Sequence, residues 1–384
     1  MFTKKHGGES VMKSPISGKA TETHLTRYFT KAEKQFAAMM EMDDLDQQLH
    51  LFPAIAKDFD QAVAFALESA YGTNASHDLP HLFLQRVLYR INRLKFFWYD
   101  DLSHYQNEHS DYLRDLRNHI ESAWQGWELS LLALKDSDER DVAEALRRRA
   151  AEDVAPPPSP EGIYFRDHMG IAGYRRLLEI ASLDGLVEAS QLSRTLGGVA
   201  NEIHAMMTRL LVEEYGGGRL SRKHSSFFRL MLEELDIDAV PEAHLDVVPW
   251  EVLATINHSF LVSERKRFYL RYVGGLLYTE ISVPAAFDNY RLAAERLGMS
   301  EKARGYWDLH IKEDERHGRW MLNDVALPLA TMYPGHASEI VLGYDQQKFM
   351  SDRAGKATAG AVKEADCAHR IASLPREASF GAAA

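Results

Sequence analysis

The 384-residue sequence predicts an all-α protein, and three observations carry that prediction. Leu, Ala, Glu, Arg and Met, which lose little on entering a helix, recur throughout. Apolar residues return three and four positions apart, the spacing that gathers them on one helical face. Runs that alternate β-branched and polar residues, the mark of a half-buried strand, are almost absent. With 45% hydrophobic and 26% charged residues, the chain has the makings of a packed core rather than a disordered polymer.

The first elements are amphipathic segments between about 21 and 150. They include "THLTRYFTKAEKQFAAMMEMDD", "FPAIAKDFDQAVAFALESAYG", "HLFLQRVLYRINRLKFFWYDDL" and "YLRDLRNHIESAWQGWELSLLALK". Their aromatic content suits a helical module, expected to span 1–155 and to pair two copies of the chain as a homodimer. The stretch "EDVAPPPSPEG", 152–162, breaks helix at four prolines and is read as a domain boundary. A second helical domain is expected over 156–360, followed by a flexible tail over 361–384 that ends in "SFGAAA".

Composition also removes some functions. A net charge of −11 argues against a nucleic-acid partner, since a phosphate backbone rewards clustered Lys and Arg. One cysteine, Cys367, allows neither an internal disulfide nor a thiolate metal cluster, so any metal must be held by His, Asp and Glu. No signal-type segment and no apolar run of about 20 residues occurs, so neither a membrane span nor export is expected, and the cytoplasm is the default location. The glycines at 216–218 do not follow a strand, which removes a phosphate-loop reading.

Four places carry metal-type chemistry. In "DLHIKEDERHGRW", 308–320, His310, Asp314 and His317 lie four and three apart, within one narrow arc of a helix. They form either a chelating face or part of the charged surface that "KEDER" suggests. Glu280 sits in the apolar run "YVGGLLYTEISVPAAF", 272–287, where an unpaired carboxylate is costly. A metal, or a hydrogen bond to a Tyr or Ser, would compensate it. In "VEEYGGGRLSRKHSSFF" three glycines interrupt a helix, and the break either aims Glu214 and His224 at one point or is a plain inter-helix turn. Glu188, among Leu183, Leu186, Val187 and Leu192, is a fourth candidate carboxylate.

Taken together these residues resemble the haem-oxygenase-like diiron oxidase superfamily. The order of an early-helix Glu, "EEYGGG" followed by His, an apolar-helix Glu and His-x3-Asp-x2-His is more specific than any one piece, and it covers roughly 161–330. The likeness extends to the N-oxygenating branch, whose members include N-nitrosourea-forming and 2-aminoimidazole-oxidising enzymes. It implies a haem-oxygenase-like helical bundle with seven iron ligands, which fall here on Glu188, Glu214, His224, Glu280, His310, Asp314 and His317. Glu214 occupies the place of the additional carboxylate that marks N-oxygenating members and is given the catalytic role. Glu202 and His204 in "NEIHAMM" are passed over by the pattern.

The resemblance implies two iron ions cycling between Fe(II) and Fe(III), O2 as co-substrate, an external electron donor and a small-molecule amine, guanidine or amino-heteroarene substrate. Its nitrogen would become a hydroxylamine, nitroso or nitro group in specialised metabolism, 2-aminoimidazole to 2-nitroimidazole being one case. No cupin-type metal site follows His317, so N–N rearrangement is not expected. Tyr278, Tyr306 and Trp307 either line the pocket or fill the core. Two other readings stay open: a diiron desaturase or C–C-cleaving oxidase of an amino or fatty acid, and a non-catalytic helical protein that binds metal or haem.

Overall fold

The computed structural model describes residues 18–72, 78–96, 102–132, 141–198 and 201–373. Among them there is no strand. The helices are α1 (Gly18–Met40), α2 (Leu45–Leu51), α3 (Ala54–Tyr71), α4 (Asp78–Arg93), α5 (Asp111–Leu131), α6 (Val142–Asp153), α7 (Pro160–Ile163) and α8 (Ile171–Gly185). After them come α9 (Ser190–Ser193), α10 (Glu202–Glu214), α11 (His224–Glu234), α12 (Trp250–Glu264), α13 (Tyr269–Arg296), α14 (Glu301–Trp320), α15 (Leu327–Met332) and α16 (Ser338–Ala372). Among the described residues no helix is long and apolar enough to cross a membrane.

The first five helices bury the aromatic residues that mark them in the sequence. Phe36 stacks on Phe59 with ring centroids 4.8 Å apart, and Phe29 on Phe83 at the same distance. Trp124 of α5 closes this core. The module is seated on α12 and α16, whose Trp250, Ala254 and Met350 belong to the same apolar cluster. A buried polar pair fixes the seating: Asn92 donates to Asn257 Oδ1 at 3.0 Å, and Asn257 donates to the Gln85 carbonyl at 2.9 Å. Buried amides with these bonds satisfied specify one register.

The second region has two further cores joined by long helices. One gathers Leu146 of α6, Leu210 of α10, Leu277 of α13, Val325 between α14 and α15, and Tyr344 of α16. The other gathers Leu178 of α8, Phe228 of α11, Ala294 of α13, Trp307 of α14 and Val362 of α16. Helices α13 and α14 run through both, so the stretches that carry Glu280 and residues 310–317 lie between the two cores.

Two boundaries differ from the sequence expectation. The break at 152–162 assigns α6 to the N-terminal unit, yet α6 buries Ala145, Leu146 and Ala150 in the core of the second region. Arg149 pairs there with Asp345 at 2.7 Å. An apolar stripe, rather than the prolines that follow it, decides where a helix docks. The chain beyond 360 is also not loose up to 372. Helix α16 continues to Ala372 with Val362 and Asp366 buried, and Asp366 accepts bonds from Tyr164 Oη and from the Gly170 and Gly173 amides at 2.7–2.8 Å. Residues 374–384 lie outside the described residues.

Candidate metal centre

Each side chain of the centre is placed by a local feature of the sequence. Helix α10 starts at an Asn201 cap, whose Oδ1 accepts the His204 amide at 2.8 Å, and ends on Glu214. Gly216, Gly217 and Gly218 then take φ of 60°, 62° and 78°, a region that a β-carbon disfavours. The chain doubles back there, and His224 opens α11 with Nδ1 2.7 Å from Glu214 Oε2. The ten-residue separation is closed by the glycine turn.

On α13, Pro284 stands four residues after Glu280 and has no N–H for the Glu280 carbonyl. Helix α14 passes close by: a β-carbon on Gly318 would lie 3.1 Å from that carbonyl oxygen and 3.0 Å from Ile281 Cδ1. This close approach sets His317 against Glu280, Nδ1 to Oε2 being 3.4 Å. Ser300 caps α14, accepting from the Ala303 amide, and the helical period then aims His310, Asp314 and His317 inward, all buried. Glu188 arrives from the turn after α8, 2.8 Å from His310 Nε2.

The seven residues named from the sequence therefore converge. Donor atoms of Glu188, Glu214, His224 and His310 lie within 4.8 Å of one another, and so do those of Glu214, Glu280 and His317. Asp314 Oδ1 stands 3.6 Å from His317 Nδ1, beside the second group. Glu214 belongs to both groups, with Oε2 on His224 and Oε1 3.5 Å from His317 Nδ1. Glu202 and His204 belong to neither.

Three histidines present one ring nitrogen inward and one outward. His310 Nδ1 meets the Tyr306 carbonyl at 2.8 Å, His224 Nε2 meets Glu313 at 3.2 Å, and His317 Nε2 meets Glu213 at 3.0 Å. An outward acceptor holds the ring proton there and leaves the inward lone pair for a metal. Glu213 and Glu313 are the residues that the sequence reading missed. Both sit beside named ligands, in "VEE" and "KEDER", and look like solvated surface charge.

Burial and mutual contact shift the acids and bases of this cluster strongly. Burial pushes the Asp314 carboxyl up to about 7, with Glu280 adding to it, and burial likewise raises Glu214. Burial opposes charge on the histidines, yet the facing carboxylates win. Glu214 and Glu313 hold His224 up to about 9, and Asp314 and Glu280 hold His317 up to about 11. His310 is raised well above its ordinary value by Glu188, and Glu188 is lowered in turn despite its burial. Three buried atoms of the cluster lack hydrogen-bond partners: Glu188 Oε2, Asp314 Oδ1 and His317 Nδ1. Buried polar groups are rarely left so, and a metal ion at each of the two groups would satisfy them. Imidazole and carboxylate donors without thiolate suit iron.

A cavity of about 280 Å3 adjoins the cluster. Its wall includes Glu188, Glu214, Glu280, His310 and Asp314, together with Thr255, His258, Ser259 and Arg271. Tyr306 lines it and donates to Glu188 Oε1 at 2.9 Å. Trp307 does not line it; it is core, donating to Tyr174 Oη at 2.9 Å. Tyr278 borders a second, larger groove under the proline segment. Thr279, Val283 and Gln347 line both spaces, so the groove leads toward the cluster.

Residues 175–347 match the family model of iron-containing redox enzymes. The region is a haem-oxygenase-like domain of that family. The all-α bundle agrees with this match, and the His and Glu groups of the region could hold iron. It is similar to a nitrosourea synthase of Streptomyces achromogenes subsp. streptozoticus, with 27% identity over 169 residues. That stretch is 44% of this chain, and it spans 36% of the relative's length. Every element that supplies a centre residue falls inside the matched region.

Proposed function

We propose that this iron-containing redox enzyme holds two iron ions and uses O2 to oxygenate a nitrogen atom of a small amine, guanidine or amino-heteroarene. What supports the reading is one observation above the others: Glu214 reaches both ligand groups, one carboxylate oxygen to each. Glu188, His224 and His310 would hold one ion, and Glu280, Asp314 and His317 the other, with Glu214 shared between them. Such a pair, once reduced, supplies the electrons that activate O2.

The protein's own contribution is positional. Glu213, Glu313 and the Tyr306 carbonyl fix the three rings in the metal-binding tautomer. Tyr306 Oη holds Glu188 by a charge-assisted bond. The cavity brings a substrate nitrogen beside the carboxylates on one wall, and the apolar cores on either side limit competing water. A nitrogen lone pair can accept oxygen without the breaking of a strong C–H bond. The matched relative is a nitrosourea synthase, and a nitrosourea carries an oxidised nitrogen. Electrons for each turnover would come from an external donor.

The test is product analysis. Iron-loaded protein, a reductant, O2 and a panel of amines, guanidines and aminoimidazoles should give hydroxylamine, nitroso or nitro products by mass spectrometry. Alkenes or shortened carbon chains instead would replace this reading with desaturation or C–C cleavage. A protein that binds no iron would leave only a helical binding module.

A further inference from the structure

Asp184 is a carboxylate that neither ligand group uses, one helical turn before Glu188 at the end of α8. Its side chain keeps accessible surface, yet surrounding protein pushes its acid up to about 6, with Glu188 adding to the effect. The side chain is one of those that line the cavity. Gln191 gives it a hydrogen bond. A negative charge near a helix C-terminus also opposes the helix dipole, so the position is unfavourable for stability alone.

The charges of the cavity decide what Asp184 faces. Glu188, Glu214, Glu280 and Asp314 carry four negative charges, which two divalent iron ions would neutralise. Among the described residues of the wall, and with His310 taken as an iron ligand, Arg271 is the one cationic side chain, and it is committed to Glu339, with Nε and Nη2 at 2.9 and 2.7 Å. His258 cannot supply a charge, because burial and Arg271 push it down to about 3. Asp184 is left as the surplus negative charge of the wall, and a cationic ligand complements it better than a neutral or anionic one.

We infer that Asp184 selects the substrate, binding a cationic nitrogen group (a guanidinium, amidinium or ammonium) and holding it beside the iron-proximal carboxylates. The inference rests on the N-oxygenation reading for the use made of that nitrogen, which must first give a proton to a carboxylate of the wall to free its lone pair, but the binding preference can be measured without turnover. Asp184 is a specificity residue, and exchange of its charge should change which ligands enter rather than whether iron binds.

The experiment titrates iron-loaded protein, kept free of O2, with n-propylguanidinium and with its neutral isostere n-propylurea by calorimetry. Wild type should bind the cation at least about tenfold more tightly than the urea. Asp184→Asn should abolish that preference while the urea affinity, the iron content per chain and the melting temperature are maintained. Pentanoate serves as the anionic control and should bind wild type weakly. The inference falls if Asp184→Asn keeps the cation preference, or if wild type prefers pentanoate, which would hand selection to Arg271. Nitrogen oxidation by wild type with an unchanged preference in the variant would sink this inference alone. A cation-selective wild type that yields alkenes would sink N-oxygenation alone.

Discussion

Glu213 touches no proposed iron position, yet its removal should halve the iron content. Its Oε2 lies 3.0 Å from Nε2 of His317, whose side chain is fully buried at 0% exposure. In Glu213→Ala the ring proton of His317 loses its acceptor, so the ring can adopt the other tautomer or rotate away from Glu214, Glu280 and Asp314. Loss of such an outer hydrogen bond costs about 10- to 100-fold in metal affinity, or about 1.4 to 2.7 kcal/mol. The ion pairs that Glu213 makes with Arg316 and Arg209 add little to this, because both arginines are well exposed. The other group, Glu188, His224 and His310, has its own outer partners and should keep its ion. Anaerobic ferrous titration followed by metal analysis should therefore show a weakened second equivalent. Glu213→Gln retains an acceptor oxygen and should load within about threefold of wild type, since a neutral acceptor still fixes the tautomer. If Glu213→Ala bound both equivalents as tightly as wild type, the assignment of His317 Nδ1 as the inward ligand would be wrong.

Three further outcomes follow from the same geometry. Gly216→Ala places a β-carbon 2.4 Å from the Arg222 backbone at φ 60°, whereas Gly217→Ala meets nothing within 4 Å; both should lose about 1–2 kcal/mol to left-handed strain, and Gly216→Ala more, with lower iron occupancy, by thermal melts and metal analysis. Tyr306→Phe removes the 2.9 Å bond to Glu188 and should cost about 1.5–3 kcal/mol in chemical denaturation, the range for a hydrogen bond to a charged group. His224 and His317, raised to about 9 and about 11, are protonated at neutral pH without metal, and iron requires the neutral rings. Iron binding should thus release protons, and its apparent affinity should rise with pH through about 9; calorimetry in buffers of different ionisation heat checks this, and a pH-independent affinity would refute it.

Much of the candidate centre was legible because its residues violate local expectation in ways that a sequence displays. Glu280 stands out as a charge in an apolar helix, and the 310/314/317 face follows from the helical period alone. Glu214 and His224 were linked by three glycines, whose only easy use is a reversal of the chain. Glu213 and Glu313 stayed hidden because an outer hydrogen-bond partner is half-exposed and charged, like any surface residue. Asp184 was hidden for another reason: whether a carboxylate at a helix end faces solvent or a cavity depends on α12 and α13, distant in sequence. The docking of α6 was misjudged because prolines mark where a helix stops, while its apolar stripe decides what it packs on. The order of α16 beyond 360 was missed because small residues such as Ala359 signal packing weakly until a neighbouring helix is present.

The central claim is that seven side chains hold a pair of iron ions with Glu214 between them. Mössbauer spectroscopy of protein loaded with iron-57 and then oxidised tests it most directly. The account predicts about two irons per chain, spin-coupled to a diamagnetic ground state, with the coupling weakened in Glu214→Ala. One iron per chain, or two that behave as isolated paramagnetic ions, would contradict it.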